Sequence, residues 1–172
     1  PLDDKNNDGT NATGQEVSSR SLGYLLNQHS DSRINPWYIL LDSESTENIF
    51  CNKDLVTDIR RTTNGETLRL TSNGGHLDTN EKASFGQLQT WFSSHCLANI
   101  LSLALVSDVY RVTLDTAVDN ALVIHISSSF KMRFVRMSSD LYAFDASKVD
   151  LKRLRQAFSF LTTVEENKGM FK

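Results

Sequence analysis

The sequence predicts an all-β domain, an antiparallel barrel or sandwich, with one or two short helices and a C-terminal α-helix. Three observations predict it. Short segments in which apolar and polar residues alternate recur at close, regular spacing between Trp37 and Asp145. Asn-Gly steps at Asn64-Gly65 and Asn73-Gly74-Gly75 punctuate them as tight turns. The chain has 172 residues, 39% hydrophobic and 23% charged, which suits one domain with a modest core plus tails.

Residues 1–32 are rich in Asn, Asp, Gly, Ser and Thr and read as a flexible polar tail, too poor in apolar surface to offset ordering. Inside it "LGYLL", Leu22 to Leu26, is expected to dock locally as a strand or short helix. Pro36 marks the entry to the strand "WYILLD". "KDLVTDI" predicts a short helix with Leu55, Val56 and Ile59 on one side. "ETLRLT" alternates, with Leu68 and Leu70 on one face, and follows the turn at Asn64-Gly65, read as a hairpin. "LANILSLALVSD" is too densely apolar for an exposed helix and predicts a buried strand or a buried helical turn. "YRVTLD", "ALVIHI", "KMRFVR" and "LYAFD" follow as strands separated by polar turns. In the last stretch Leu151, Leu154, Phe158 and Leu161 fall at i, i+3, i+7 and i+10, one helical face, with Ser147 or Asp145 as its cap. The expected division is thus a tail over 1–32, a β domain over 33–146 and a helical segment over 147–172.

The formal net charge of −3 demands neither nucleic acid nor an anionic membrane. No apolar run reaches the roughly 20 residues of a membrane helix, and the polar start does not read as a signal peptide. The expected location is therefore intracellular and cytoplasmic, with the sequon Asn11-Ala12-Thr13 idle. Cys51 and Cys96 form no CxxC pair and read as reduced thiols; His95 beside Cys96 does not make a zinc site, so neither metal nor cofactor is expected. Lys131, Arg133 and Arg136 interleave with Met132, Phe134 and Val135, which reads as a solvated face opposite a core face rather than a nucleic-acid surface. His76 and His125 read as structural.

The chemistry-bearing stretch is "WYILLDSESTENIF". An apolar strand ending in Asp-Ser/Thr-Gly-Ala/Ser is the local signature of aspartic peptidases. Two such loops meet, and two carboxylates share one proton because like charges about 3 Å apart cannot both ionise. One carboxylate then activates water as a general base while the protonated one polarises the scissile carbonyl. Here the residues are Asp42-Ser43-Glu44-Ser45: the acid, the hydroxyl and the small fourth residue fit, and Glu44 stands where glycine is expected. Glu44 adds bulk and a third negative charge beside such a pair. The other reading of Asp42 is a strand-terminal acid bonding its own turn. "VTLDTA" places a second Asp-Thr-Ala at Asp115, too close for a second lobe and read as a strand end before a turn at Asp119-Asn120.

The order of the pieces "WYILLDSEST", "LRLTSNGG", "GQLQTWFSSHCLANILSL", "YRVTLDTA" and "LYAFD" resembles the protease domain of copia-type retrotransposon polyproteins, over about Trp37 to Asp145. The resemblance implies a retropepsin-like barrel with a flap hairpin. It implies Asp42 as the catalytic carboxylate, Ser43 as the hydroxyl bracing the carboxylate pair, and Asn73, Gly74 and Gly75 near the flap tip. Glu44 and Ser45 would belong to the supporting loop, with Ile100 and Leu101 as the hydrophobic support beneath it. One motif per chain implies a homodimer in which each copy gives one Asp. The implied substrate is a polypeptide, its own polyprotein, cut inside the cell or within virus-like particles, with no membrane or nucleic-acid partner for this domain. "TVEENKGMFK" resembles the helical linker that precedes an integrase region. Two readings stay open: an active dimeric endopeptidase, and a retropepsin-like fold that has lost catalysis and serves as an interaction or spacer module.

Overall fold

Tyr38 to Asp42 alternate across a strand, and this strand sits in the middle of the sheet. In a computed structural model that describes residues 34–72 and 75–158, Ile39 and Leu41 point into the main core, while Leu40 points into a second, smaller cluster on the opposite face. Both faces are covered, which is why the segment reads as a continuous apolar run.

The strands are β1 (Tyr38–Asp42), β2 (Ile49–Phe50), β3 (Thr57–Arg61), β4 (Leu68–Ser72), β5 (Gly75–Thr79), β6 (Glu81–Phe85), β7 (Leu88–Phe92) and β8 (Asn99–Ser102). Helix α1 (Leu103–Val109) follows, then β9 (Arg111–Asp115), β10 (Asp119–His125), β11 (Lys131–Arg136), β12 (Tyr142–Asp145), a 3-10 turn (Ala146–Lys148) and helix α2 (Leu151–Ala157). Ten strands form one sheet in the order β3-β6-β7-β2-β8-β1-β12-β11-β10-β9, and β4 and β5 form a separate two-stranded hairpin. The chain is therefore mostly β with short helices, as expected. Among the described residues the large sheet runs from edge β3 to edge β9 without closing on itself.

The antiparallel expectation holds only for part of the sheet. β8 lies parallel to β1, with Leu41 opposite Leu101 and Asp42 opposite Ser102, and β7 lies parallel to β2. Parallel pairing needs a long crossover. The chain from Ser43 to Ala98 provides one by travelling through β2 to β7 before it returns beside β1.

Three local expectations are corrected. "KDLVTDI" is not a helix: Leu55 and Val56 are buried in a loop, and Thr57–Arg61 pairs with β6, leaving Ile59 40% exposed. A lone seven-residue helix is marginal, and pairing on β6 satisfies its backbone instead. Asn64-Gly65 does turn the chain, with Gly65 at φ +73°, but the flanking strands β3 and β4 do not pair with each other. β3 pairs with β6, the Thr62 amide donates to the Asn80 carbonyl at 2.8 Å, and β4–β5 is a hairpin inserted between them. Helix α2 is capped by Asp150, whose side chain accepts from the Lys152 amide; Asp145 caps the 3-10 turn.

Helix α2 packs into the main core. Leu154 and Phe158 are fully buried, and the Phe158 ring lies 4.9 Å from Phe85 and 5.5 Å, edge-on, from Tyr110. Gly86, at φ +63°, makes this approach possible: a β-carbon there would sit 2.4 Å from that of Phe158. The packed unit thus runs past the division expected at residue 146. Leu161 and the linker-like "TVEENKGMFK" lie outside the described residues, as do "LGYLL" and the 1–32 tail. Among the described residues no helix is long and apolar enough to cross a membrane.

Candidate active site

Asp42 closes β1, paired on one edge by β8 and on the other by β12. Its carboxyl is half-buried, and Oδ1 accepts the Glu44 amide at 2.9 Å. The acid therefore folds back on its own turn, the local geometry of an Asx turn. Ser43 and Glu44 are both exposed at the loop surface. Ser45 is half-buried, and its hydroxyl donates to the Glu47 carbonyl at 2.7 Å.

The loop is anchored from below by residues that hydrophobic periodicity passes over. Ser102, fully buried, donates its hydroxyl to the Ser45 carbonyl at 2.6 Å. The same oxygen accepts the Leu105 amide at 3.4 Å, which caps α1. Asn48, also buried, accepts the Ser102 amide at 2.9 Å and donates to the Gln89 carbonyl at 3.3 Å. Its own carbonyl accepts the Trp91 amide at 2.8 Å. The loop after Asp42 is thereby tied to β8, to the start of α1 and to β7.

Asn99 clamps the other end of β1. Its Oδ1 accepts the Cys51 and Asn52 amides, each at 3.0 Å. Its Nδ2 donates to the Pro36 and Tyr38 carbonyls at 2.8 and 2.9 Å. The side chain is fully buried and all four of its hydrogen-bonding positions are filled. A signal for Asn99 and Ser102 was present: both are polar residues inside the apolar run "ANILSL", and a buried polar side chain requires partners.

The expected support residues separate. Leu101 lies fully buried in the main core, whereas Ile100 points to the opposite face and packs with the smaller Leu40–Ala143 cluster. The expected flap corresponds to the β4–β5 hairpin. Gly75 opens β5 opposite Ser72, while Asn73 and Gly74 lie outside the described residues. Leu70 pairs with Leu77, and on the other face Arg69 grips Asp78 through two bonds of 2.8 and 2.7 Å. The Arg69 guanidinium holds the Asp78 carboxyl below its ordinary range.

The thiols are not nucleophiles. Burial, then the neighbouring Cys51, push Cys96 up to about 12, and burial also raises Cys51. A thiol so shifted carries almost no thiolate near neutrality. Among the described residues no group of three or more His, Cys, Asp or Glu is placed to hold a metal ion.

No family model, no curated protein and no solved structure matches the chain.

Proposed function

We propose that the chain is an aspartic endopeptidase that acts as a homodimer, with Asp42 from each copy forming the carboxylate pair. The observation that carries this reading is the placement of Asp42 at the end of a central strand, followed by a loop held from beneath by Ser102 and Asn48. Catalytic carboxylates need such fixed supports, because a pair sharing one proton loses function when its geometry drifts. One Asp42 takes a proton from water while the other, protonated, polarises the peptide carbonyl. The proton then passes to the leaving amine, and the shared proton returns to the pair. The β4–β5 hairpin acts as the flap, and the half-buried Leu68, Leu70 and Leu77 give its apolar underside. The retropepsin-like barrel and the polyprotein substrate rest on the resemblance of the sequence segments.

A second reading is favoured by one specific observation: Asp42 Oδ1 is engaged by the Glu44 amide. An acid that serves its own turn fits a retropepsin-like fold that has lost catalysis and works as an interaction module. A single experiment separates the two. Peptides spanning its own polyprotein are incubated with the parent protein, Asp42→Ala and Glu44→Gly, and cleavage is read by mass spectrometry. The peptidase reading expects cleavage by the parent and a loss of about 100-fold or more in Asp42→Ala. Equal rates in the two would remove Asp42 from the chemistry. Cleavage by Glu44→Gly alone would identify the native chain as the inactive form.

A further inference from the structure

The far end of the sheet carries a row of positive groups that the peptidase reading does not use. β9, β10 and β11 are consecutive antiparallel strands, and the register sets His125 opposite Arg111 on one side and opposite Lys131 on the other. Directly opposed residues share a face, so three basic side chains stand abreast, about 10 Å from first to last at the usual strand spacing. Thr113 lies two residues along on the same face, and its hydroxyl is 2.9 Å from His125 Nε2. Arg111 Nη1 lies 3.3 Å from the same nitrogen. Arg111 can only donate, so Nε2 is an acceptor here and the ring is neutral.

No carboxylate falls in this row. The next cation on the face, Arg133, is engaged by Asp119. Asp115, on the same face of β9, is four residues from Arg111, about 13 Å along the strand, and its side chain accepts the amide of Ala117 in its own turn. That separation exceeds the Debye length of about 8 Å at physiological salt. The charges facing His125 from the two flanking strands are therefore Arg111 and Lys131. They act together with burial, the largest influence, to hold the imidazole below its ordinary value.

We propose that Arg111, Thr113, His125 and Lys131 form a binding site for a compact tetrahedral oxyanion, a phosphate ion or a phosphomonoester group. A guanidinium fork, a hydroxyl and an ammonium offer donors to several oxygens of one anion. The face holds aliphatic Val123 at its centre, in register with Thr113 and Arg133, and no aromatic ring in that row on which a nucleic-acid base would stack. Binding favours the imidazolium, so Nε2–H becomes a further donor and the Thr113 hydroxyl is released to the ligand. Affinity therefore tightens as pH falls through the ionisation of His125.

The test is an NMR titration of the whole chain that follows the His125 ring and Thr113, with inorganic phosphate as probe and chloride at matched ionic strength as control. Sulfate, a dianion throughout, serves for the pH series. The expected result is a saturable shift at both residues, a rise in the His125 pKa, and several-fold weaker binding in Lys131→Met and in Arg111→Gln with an unchanged melting temperature. Shifts no larger than those in chloride overturn the proposal, as does unchanged affinity in both variants. A stronger response to a single-stranded oligonucleotide than to phosphate overturns the assignment to a compact anion.

Discussion

Asn99 holds four backbone groups at once, from chain segments far apart in sequence, and is fully buried. Replacing it with alanine strands those partners, and each orphaned buried polar group costs about 1–3 kcal/mol. Asn99→Ala is expected to lose at least about 3 kcal/mol in urea unfolding; a loss within experimental error would mean that the clamp does not support β1. Asn99→Asp should be little better, since it keeps the acceptor and removes both donors. The thiol of Cys96 makes a pH prediction. Its folded value of about 12 exceeds the ordinary 9.0. Above pH 9 the unfolded chain releases this proton while the folded chain retains it, so stability falls as pH rises from 9 toward about 12. Thermal melts across that window should show a shallower decline in Cys96→Ser than in the parent. Asp42 was legible because its motif is local. Asn48, Asn99 and Ser102 were not, because periodicity assigns polar residues to solvent, and only the folded register shows that these three face inward.

Strands were legible as elements wherever polar and apolar residues alternated in short runs, as in "ETLRLT" and "KMRFVR". Their partners were not. Pairing depends on which crossover brings a strand back, and nothing in "ANILSL" itself states that it returns parallel to β1. The helical reading of "KDLVTDI" failed because three apolar residues fit either period and the tertiary partner β6 decided the matter. Helix α2 was legible from Leu151, Leu154 and Phe158, but its membership of the core depends on Gly86, whose role appears only in the packed turn. Phe158→Ala is expected to cost about 3–5 kcal/mol. A chain ending at residue 148 should lose cooperative unfolding, whereas one ending at residue 160 should keep the parent melting temperature. If the shorter chain melts like the parent, α2 is a linker and not part of the domain.

Across the whole molecule, β1 takes its two neighbours from residues 99–102 and 142–145. The strand that carries Asp42 is thus complete only when chain from both halves has folded onto it, and the described fold offers one Asp42 loop per chain. The proposed peptidase needs two, and so needs two copies. Mixing tests this most directly. Asp42→Asn keeps an oxygen to accept the Glu44 amide while removing the charge, so it should fold and associate normally yet lack activity. Parent protein is mixed with an equal amount of Asp42→Asn, subunits are allowed to exchange, and peptide cleavage is measured. If each site is built from two Asp42 residues, activity per parent-only reference at the same total protein falls to about one quarter, because only parent–parent pairs act. A value of about one half would mean that each chain works alone, and would contradict the account.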